Sequence, residues 1–263
     1  MEIKILYFIY AFILGAVLAS FASALAWRTG KIKHKEKFSI FTGRSVCPNC
    51  KKQLSWWSLF PIFSYIFLQG KCFSCKKHIS IFYPIMEIFS AVFSIFLLNR
   101  YLDGEMDLFI LILFFFTTFV LIVLSFQDIW FEEISDKIAI PAIIIVLFSI
   151  ILNYFFTNRL DVFIQNFFIA SVIVSFFMLL VIFTDSMGGG DLRAFAIISL
   201  TLVFPDVLYA LTVGFVLASI FGIGFAFTQS KKNILKVHIR LIPFLSIGFA
   251  IVLIWGNILQ FTI

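Results

Sequence analysis

Long unbroken apolar stretches dominate this chain, in place of the alternation that marks half-buried helices or strands. They fall at about 5–27, 81–98, 108–126, 138–156, 163–184, 193–210, 209–227 and 241–260. Most approach the ~20 residues that a helix needs to cross the hydrocarbon core of a bilayer. Backbone in lipid must satisfy its own hydrogen bonds, which favours helix over isolated strand. The pattern therefore predicts an all-α membrane protein with about eight transmembrane helices. The sixth and seventh stretches are divided by Phe204-Pro205-Asp206, a tight-turn signal; without that break the count would be seven. One sizeable polar interruption, residues 28–80, predicts a small domain between the first and second spans. The expected division is thus 1–27, a first transmembrane helix; 28–80, a four-cysteine domain; and 81–263, a multi-span domain.

Composition agrees. The chain is 62% hydrophobic and 13% charged over 263 residues, against roughly half apolar and a quarter charged for soluble domains. Its net charge of +6 is unevenly spread, with eleven Lys or Arg and a single acid, Glu36, between Arg28 and Lys77. Beside apolar spans, such a segment is expected to lie against anionic lipid on the cytoplasmic side; nucleic acid is not the expected partner. With the N-terminus outside, 17 of the 20 basic residues fall on inner segments, as the positive-inside rule requires. The first run is expected to be an uncleaved anchor, since it is long and its positive charge follows it.

All four cysteines lie in the polar interruption, as Cys47-Pro48-Asn49-Cys50 and Cys72-Phe73-Ser74-Cys75. A CxxC knuckle lets two thiolates reach one ion, and two knuckles complete a tetrahedral S4 site. The expectation is a zinc-ribbon-like domain holding structural Zn2+ through Cys47, Cys50, Cys72 and Cys75. Disulfides, four idle thiols and redox chemistry are the alternatives, and a cytoplasmic location argues against the first. His34 and His78 are secondary ligand candidates. The aromatic run around Trp56 and Trp57 either lies at the membrane interface or fills the little domain's own core.

Charge within a span is costly, so acids near span ends call for a reason. Glu87 lies just inside the second span. Asp128 closes the third and is followed by Glu132, Glu133 and Asp136; Asp185 and Asp191 bracket Met187-Gly188-Gly189-Gly190 at the inner end of the fifth. Eight spans place Asp128 and Asp191 at one membrane face. Two carboxylates brought together cannot both ionise cheaply, and a shared proton gives the acid–base division of aspartic proteases. Gly188, Gly189 and Gly190 would permit a positive φ or a close backbone approach, admitting an extended substrate. Acids near the membrane also suit a transporter, and a zinc domain suits a membrane scaffold.

Taken together, these residues resemble the type IV prepilin peptidases, a family of GxGD membrane aspartyl proteases. The likeness runs from Gly43-Arg44-Ser45-Val46-Cys47 through Gly70-Lys71-Cys72 to Tyr83-Pro84-Ile85-Met86-Glu87, and then through Asp128, Asp136 and Gly188-Gly189-Gly190-Asp191. Four residues, at three places, depart from the family pattern. Ser135 stands where a proline is usual, Arg193 where a lysine is common, and Leu245-Ser246 follows Ile242-Pro243-Phe244 in place of Gly-Pro. The resemblance implies catalysis by Asp128 and Asp191 on the cytoplasmic face of the bacterial inner membrane. It also implies removal of a short basic leader from prepilins or pseudopilins, and methylation of the new N-terminus with S-adenosylmethionine as cofactor. Glu132, Glu133, Asp136 and Asp185 would offset the basic inner surface for such a leader.

Overall fold

The computed structural model describes residues 2–31, 44–47, 49–158, 160–184, 188–228 and 239–255. Among these residues the chain is almost entirely helical. Nine α-helices follow one another: α1 (Glu2–Lys31), α2 (Phe63–Phe67), α3 (Phe82–Leu102), α4 (Leu108–Phe131), α5 (Asp136–Thr157), α6 (Leu160–Thr184), α7 (Gly189–Thr201), α8 (Asp206–Thr228) and α9 (Ile242–Trp255). Six helices are long and apolar enough to cross a membrane, with the shorter apolar α9 beside them. The protein is a multi-pass membrane protein with a four-cysteine segment between α1 and α3.

Each of the eight apolar stretches is helical, but the sixth is shorter than its sequence suggests. Helix α7 ends at Thr201, and α8 begins only at Asp206. Its 13 residues span about 20 Å at 1.5 Å per residue, less than a hydrocarbon core. The cause is local: Pro205 lacks an N–H, and its ring disfavours helical backbone at the residue before it. The last predicted stretch, 241–260, is helical from Ile242 to Trp255; the remainder, like His34, lies outside the described residues.

The chain divides into two compact units, Met1–Gly104 and Glu105–Ile263. In the first, α1 packs along α3. Lipid tails are as apolar as leucine, so the hydrophobic effect does little to press two such helices together; close van der Waals approach does more. Helix α1 presents Ala11, Gly15, Ala19, Ala22, Ser23 and Ala26 as a buried small-residue stripe. Helix α3 answers with buried Ser90, Ala91 and Ser94. A Cβ on Gly15 would stand 2.5 Å from the Ser90 carbonyl oxygen and 2.8 Å from Ala91 Cα. Glu87, the acid inside α3, is buried and partnered: Ile62 N–H donates to its Oε2 at 2.7 Å, and Ser20 of α1 also hydrogen-bonds it.

In the second unit α4 is the hub, packed against α5, α7 and α9, while α8 pairs with α9. Phe114, Leu121, Leu124 and Phe126 of α4 are fully buried. Thr117 of α4 and Thr201 of α7 share a buried hydrogen bond of 3.1 Å. Phe177, Phe195 and Phe215 stack at centroid distances of 4.0–5.8 Å and join α6, α7 and α8.

Gly15→Ala would ordinarily favour a helix by about 0.5–1 kcal/mol. Here it forces backbone apart, and overpacking costs about 1–3 kcal/mol. The expected result is a lower melting temperature for the purified protein. Gly224→Ala, where a Cβ meets nothing within 4 Å, should not lower it; equal behaviour of the two variants would dismiss the close crossing.

Candidate functional site

Two clusters of chemistry-bearing side chains stand out, one in each unit. In the first unit the cysteine knuckles share one backbone plan. Cys47 N–H donates to the Lys52 carbonyl and Lys51 N–H to the Cys47 carbonyl, both at 2.9 Å; Cys72 with Lys77, and Lys76 with Cys72, repeat this at 2.9 Å. Lys51 and Lys76 both sit at φ +59°, and a short antiparallel bridge closes each knuckle, Val46 with Gln53 and Lys71 with His78. The turn aims N–H groups of Asn49 and Cys50 at the Cys47 sulfur, and those of Ser74 and Cys75 at the Cys72 sulfur.

The four Sγ atoms lie within 4.8 Å of one another, and those of Cys47 and Cys75 are 3.9 Å apart. Zn–S bonds of about 2.3 Å in a tetrahedron place sulfurs ~3.8 Å apart, so the donor set fits a metal ion. The hydrogen bond from the Cys75 amide is the largest influence holding the Cys72 thiol down, to about 7. Burial pushes the Cys47 thiol up, to about 11. A cation beside them would favour both thiolates. His78 is exposed and pairs through its backbone with Lys71, outside the cysteine cluster. A closed S4 set leaves no position for substrate, so an ion here would be structural.

In the second unit Asp128 occupies the last turn of α4 and Asp191 the first turn of α7. Both are half-buried, and each carboxyl lies within electrostatic reach of the other. Ile242 N–H, at the start of α9, donates to Asp128 Oδ2 at 3.3 Å. Arg240 donates to the Ile129 carbonyl and, at 2.8 Å, to Glu132 Oε1. A guanidinium there satisfies a carbonyl that the end of α4 leaves without a helical partner, and it complements the negative end of the helix. Glu132 itself caps α4 at φ +55°.

The α4–α5 connection is held from inside. Ser135 N–H donates to Oε1 of fully buried Gln127 at 3.1 Å, a bond that a proline at 135 would lack. Asp136, in the first turn of α5, pairs with Arg193 of α7. Glu133 is exposed beside them, and Asp185 lies outside the described residues. Among the glycines, Gly188 caps α7 in extended backbone at φ −76°, and Gly189 and Gly190 begin the helix. None of them has a positive φ. Gly190 is needed for space instead: a Cβ there would stand 2.5 Å from Ile134 Cγ1, whereas one on Gly189 would meet nothing within 4 Å.

Sequence reasoning did not single out the acid-supporting roles of Arg240, Gln127 or Ile242. Gln127 and Arg240 carry the only available signal, polar groups at the edges of apolar runs. The departure at Leu245-Ser246 also has a structural account. Leu245 is fully buried against Gly214, and Ser246 Oγ bonds Ser125 Oγ of α4 at 2.9 Å.

Comparison with known proteins finds two family models along the chain. The bacterial peptidase A24 N-terminal domain matches residues 13–101, and the type IV leader peptidase family matches residues 114–223. The chain is similar to a protein of Vibrio cholerae called prepilin leader peptidase/N-methyltransferase, at 28% identity over 94% of this chain and 96% of that protein. Proteins with the same name match from Bacillus subtilis, at 30% identity over 73% of this chain and 72% of that one, and from Legionella pneumophila, at 26% over 86% and 77%. No solved structure matches.

The cysteine geometry gives a direct expectation for metal. Purified protein should carry about one ion per chain of a tetrahedral thiolate site, and a Cys47→Ser, Cys50→Ser variant should lose it. Equal metal content in the two preparations, by elemental analysis, would defeat the site.

Proposed function

Because the chain belongs to the type IV leader peptidase family, we propose that it is a membrane aspartyl endopeptidase that removes the short basic leader of prepilins and pseudopilins. The observation that carries this reading is the pair Asp128 and Asp191, delivered by the end of α4 and the start of α7 within electrostatic reach of each other. The ionised carboxylate takes a proton from water as the water oxygen attacks the scissile carbonyl carbon. The protonated carboxyl donates to the carbonyl oxygen as charge develops there. Return of a proton to the amide nitrogen then lets the C–N bond break. The proposed active site faces the cytoplasm of the bacterial inner membrane, with the N-terminus outside.

Within this proposal each neighbouring element has a task. Ile242 N–H and the Arg240 contacts hold Asp128 and the end of α4 in place. Gly188 and Gly189 leave room for an extended substrate beside Asp191, while Gly190 clears Ile134. Glu132 and Asp136 neutralise Arg240 and Arg193, which would otherwise repel a basic leader; Glu133 and Asp185 add to the same field. Zinc in the four-cysteine site braces the segment between α1 and α3. The relatives' name includes N-methyltransferase, and the proposal extends to methylation of the newly exposed amine from S-adenosylmethionine.

The test is incubation of the reconstituted protein with a prepilin, read by mass spectrometry. Asp128→Asn and Asp191→Asn should each abolish cleavage while metal content and melting temperature stay unchanged; cleavage retained by either variant would overturn the assignment. The same spectra should record a mass gain of one methyl group on the wild-type product when S-adenosylmethionine is supplied. Charge reversal at Glu132 or Asp136 should raise KM for a leader-bearing substrate more than it lowers kcat. An unchanged KM would remove their electrostatic role.

A further inference from the structure

Between the two cysteine knuckles the chain turns apolar side chains outward. Trp56, the neighbours Leu59 and Phe60, then Phe63, then the neighbours Ile66 and Phe67 follow one another at intervals of three or four residues along a short 3-10 turn, Trp56–Leu59, the residue that ends it, and α2. All six are exposed, Trp56 at 75% and Phe67 at 80%. Apart from an edge-on contact between the Trp56 and Phe60 rings, with centroids 5.8 Å apart, the segment's own packing uses other residues. Half-buried Trp57 sets its ring edge-on to Phe73, with centroids 5.3 Å apart, and Tyr65 donates to the Ile79 carbonyl at 3.4 Å. A six-residue aromatic and aliphatic face is large for a surface left in water.

Its position along the membrane axis follows from one part-buried hydrogen bond. The turn Pro61-Ile62-Phe63 closes with Phe63 N–H donating to the Pro61 carbonyl at 2.6 Å, and Ile62 sits at φ +64°, ψ −57°. A β-branched residue rarely adopts that backbone. The strained turn frees Ile62 N–H to donate to Glu87 of α3. Glu87 lies five residues inside α3, about 7.5 Å along its axis. Helix α3 has 21 residues, roughly the ~30 Å of a hydrocarbon core, with headgroup layers of about 5–8 Å beyond it. With α3 filling that core, the bond holds the turn about 7.5 Å to the acyl side of the end of α3, within the ~5–10 Å depth at which interfacial apolar faces sit.

Charge supplies the second argument. Residues 44–80 contain Arg44, Lys51, Lys52, Lys71, Lys76 and Lys77 and no Asp or Glu, and all six cations are exposed. An exposed aromatic face in a segment whose only charges are cations fits an anionic phospholipid surface. We propose that the Trp56–Phe67 face is a membrane-dipping element: it inserts into the acyl–headgroup boundary beside α1 and α3, with anionic phospholipid as its partner. This holds whichever reaction the carboxylate pair performs.

The full chain, carrying the photo-crosslinker p-benzoylphenylalanine in place of Phe67 or Phe63, is reconstituted in vesicles of phosphatidylglycerol and phosphatidylcholine. Irradiation should yield lipid adducts at both positions. Phosphatidylglycerol should be enriched in them over its share of the vesicle. The same probe in place of Lys52, a cation expected at headgroup level, should yield fewer acyl-chain adducts than either. Retained metal content and melting temperature confirm that the labelled proteins are folded. Folded protein whose probes at 63 and 67 attach to residues 105–263, to a second copy, or to nothing would overturn the proposal. So would adducts that ignore headgroup charge.

Discussion

Helices in lipid have little hydrophobic drive toward one another, so what holds this protein together is the closeness with which backbones approach at small residues. The crossing of α8 and α9 makes the dependence plain. A Cβ on Gly248 would run into the Ala210 carbonyl and stand 2.9 Å from the Gly214 amide, while a Cβ on Gly214 would meet Leu245. Those glycines let α9 settle between α8 and α4. Only in that seat does Ile242 N–H reach Asp128 and Ser246 reach Ser125. The proposed chemistry at Asp128 thus rests on the absence of side chains one helix away.

The second constraint is charge at helix ends. The end of α4 carries unsatisfied carbonyls and the partial negative charge of the helix, and it also carries Asp128 and Glu132. Left alone, that concentration of negative character would be unfavourable. Arg240 answers it by bonding the Ile129 carbonyl and Glu132 together. Arg193 does the same for Asp136 at the start of α5. The two arginines tie α4, α5, α7 and the approach to α9 around the carboxylate pair, so charge neutralisation and positioning are one arrangement. Ser135 belongs to it as well: its amide gives Gln127 a partner that the usual proline could not.

Much of this was legible in the sequence, for physical reasons. Span length, the break at Phe204-Pro205-Asp206 and the paired CxxC knuckles depend on residues near one another in the chain, and local rules read them well. The gathering of Asp128 with Asp191 followed from counting crossings. The shortness of α7 did not, because apolar residues 202–205 look helical by composition while Pro205 prevents it. Long-range pairings were out of reach too. Nothing in a single sequence says that residue 240 contacts residue 129, or that Ile62 donates its amide to Glu87. The roles expected of the three glycines needed refinement: a turn with positive φ and a helix start that must clear Ile134 look the same as letters.

The cysteine segment carries this reasoning furthest, because it has so little core of its own. Its 21 residues between Cys50 and Cys72 form a loop whose closure costs chain entropy, and few of its large side chains face inward. Two fasteners offset that cost. An ion shared by two identical knuckles would close the loop at its ends, with binding energy contributing directly to folding. The Glu87 bond pins its middle to α3, at the expense of a strained residue and a buried carboxylate. A segment stapled at both ends and at its centre can keep its large aromatic side chains on the outside. Such an arrangement has a physical rationale where the outside is acyl chain and headgroup, since water would penalise the same surface.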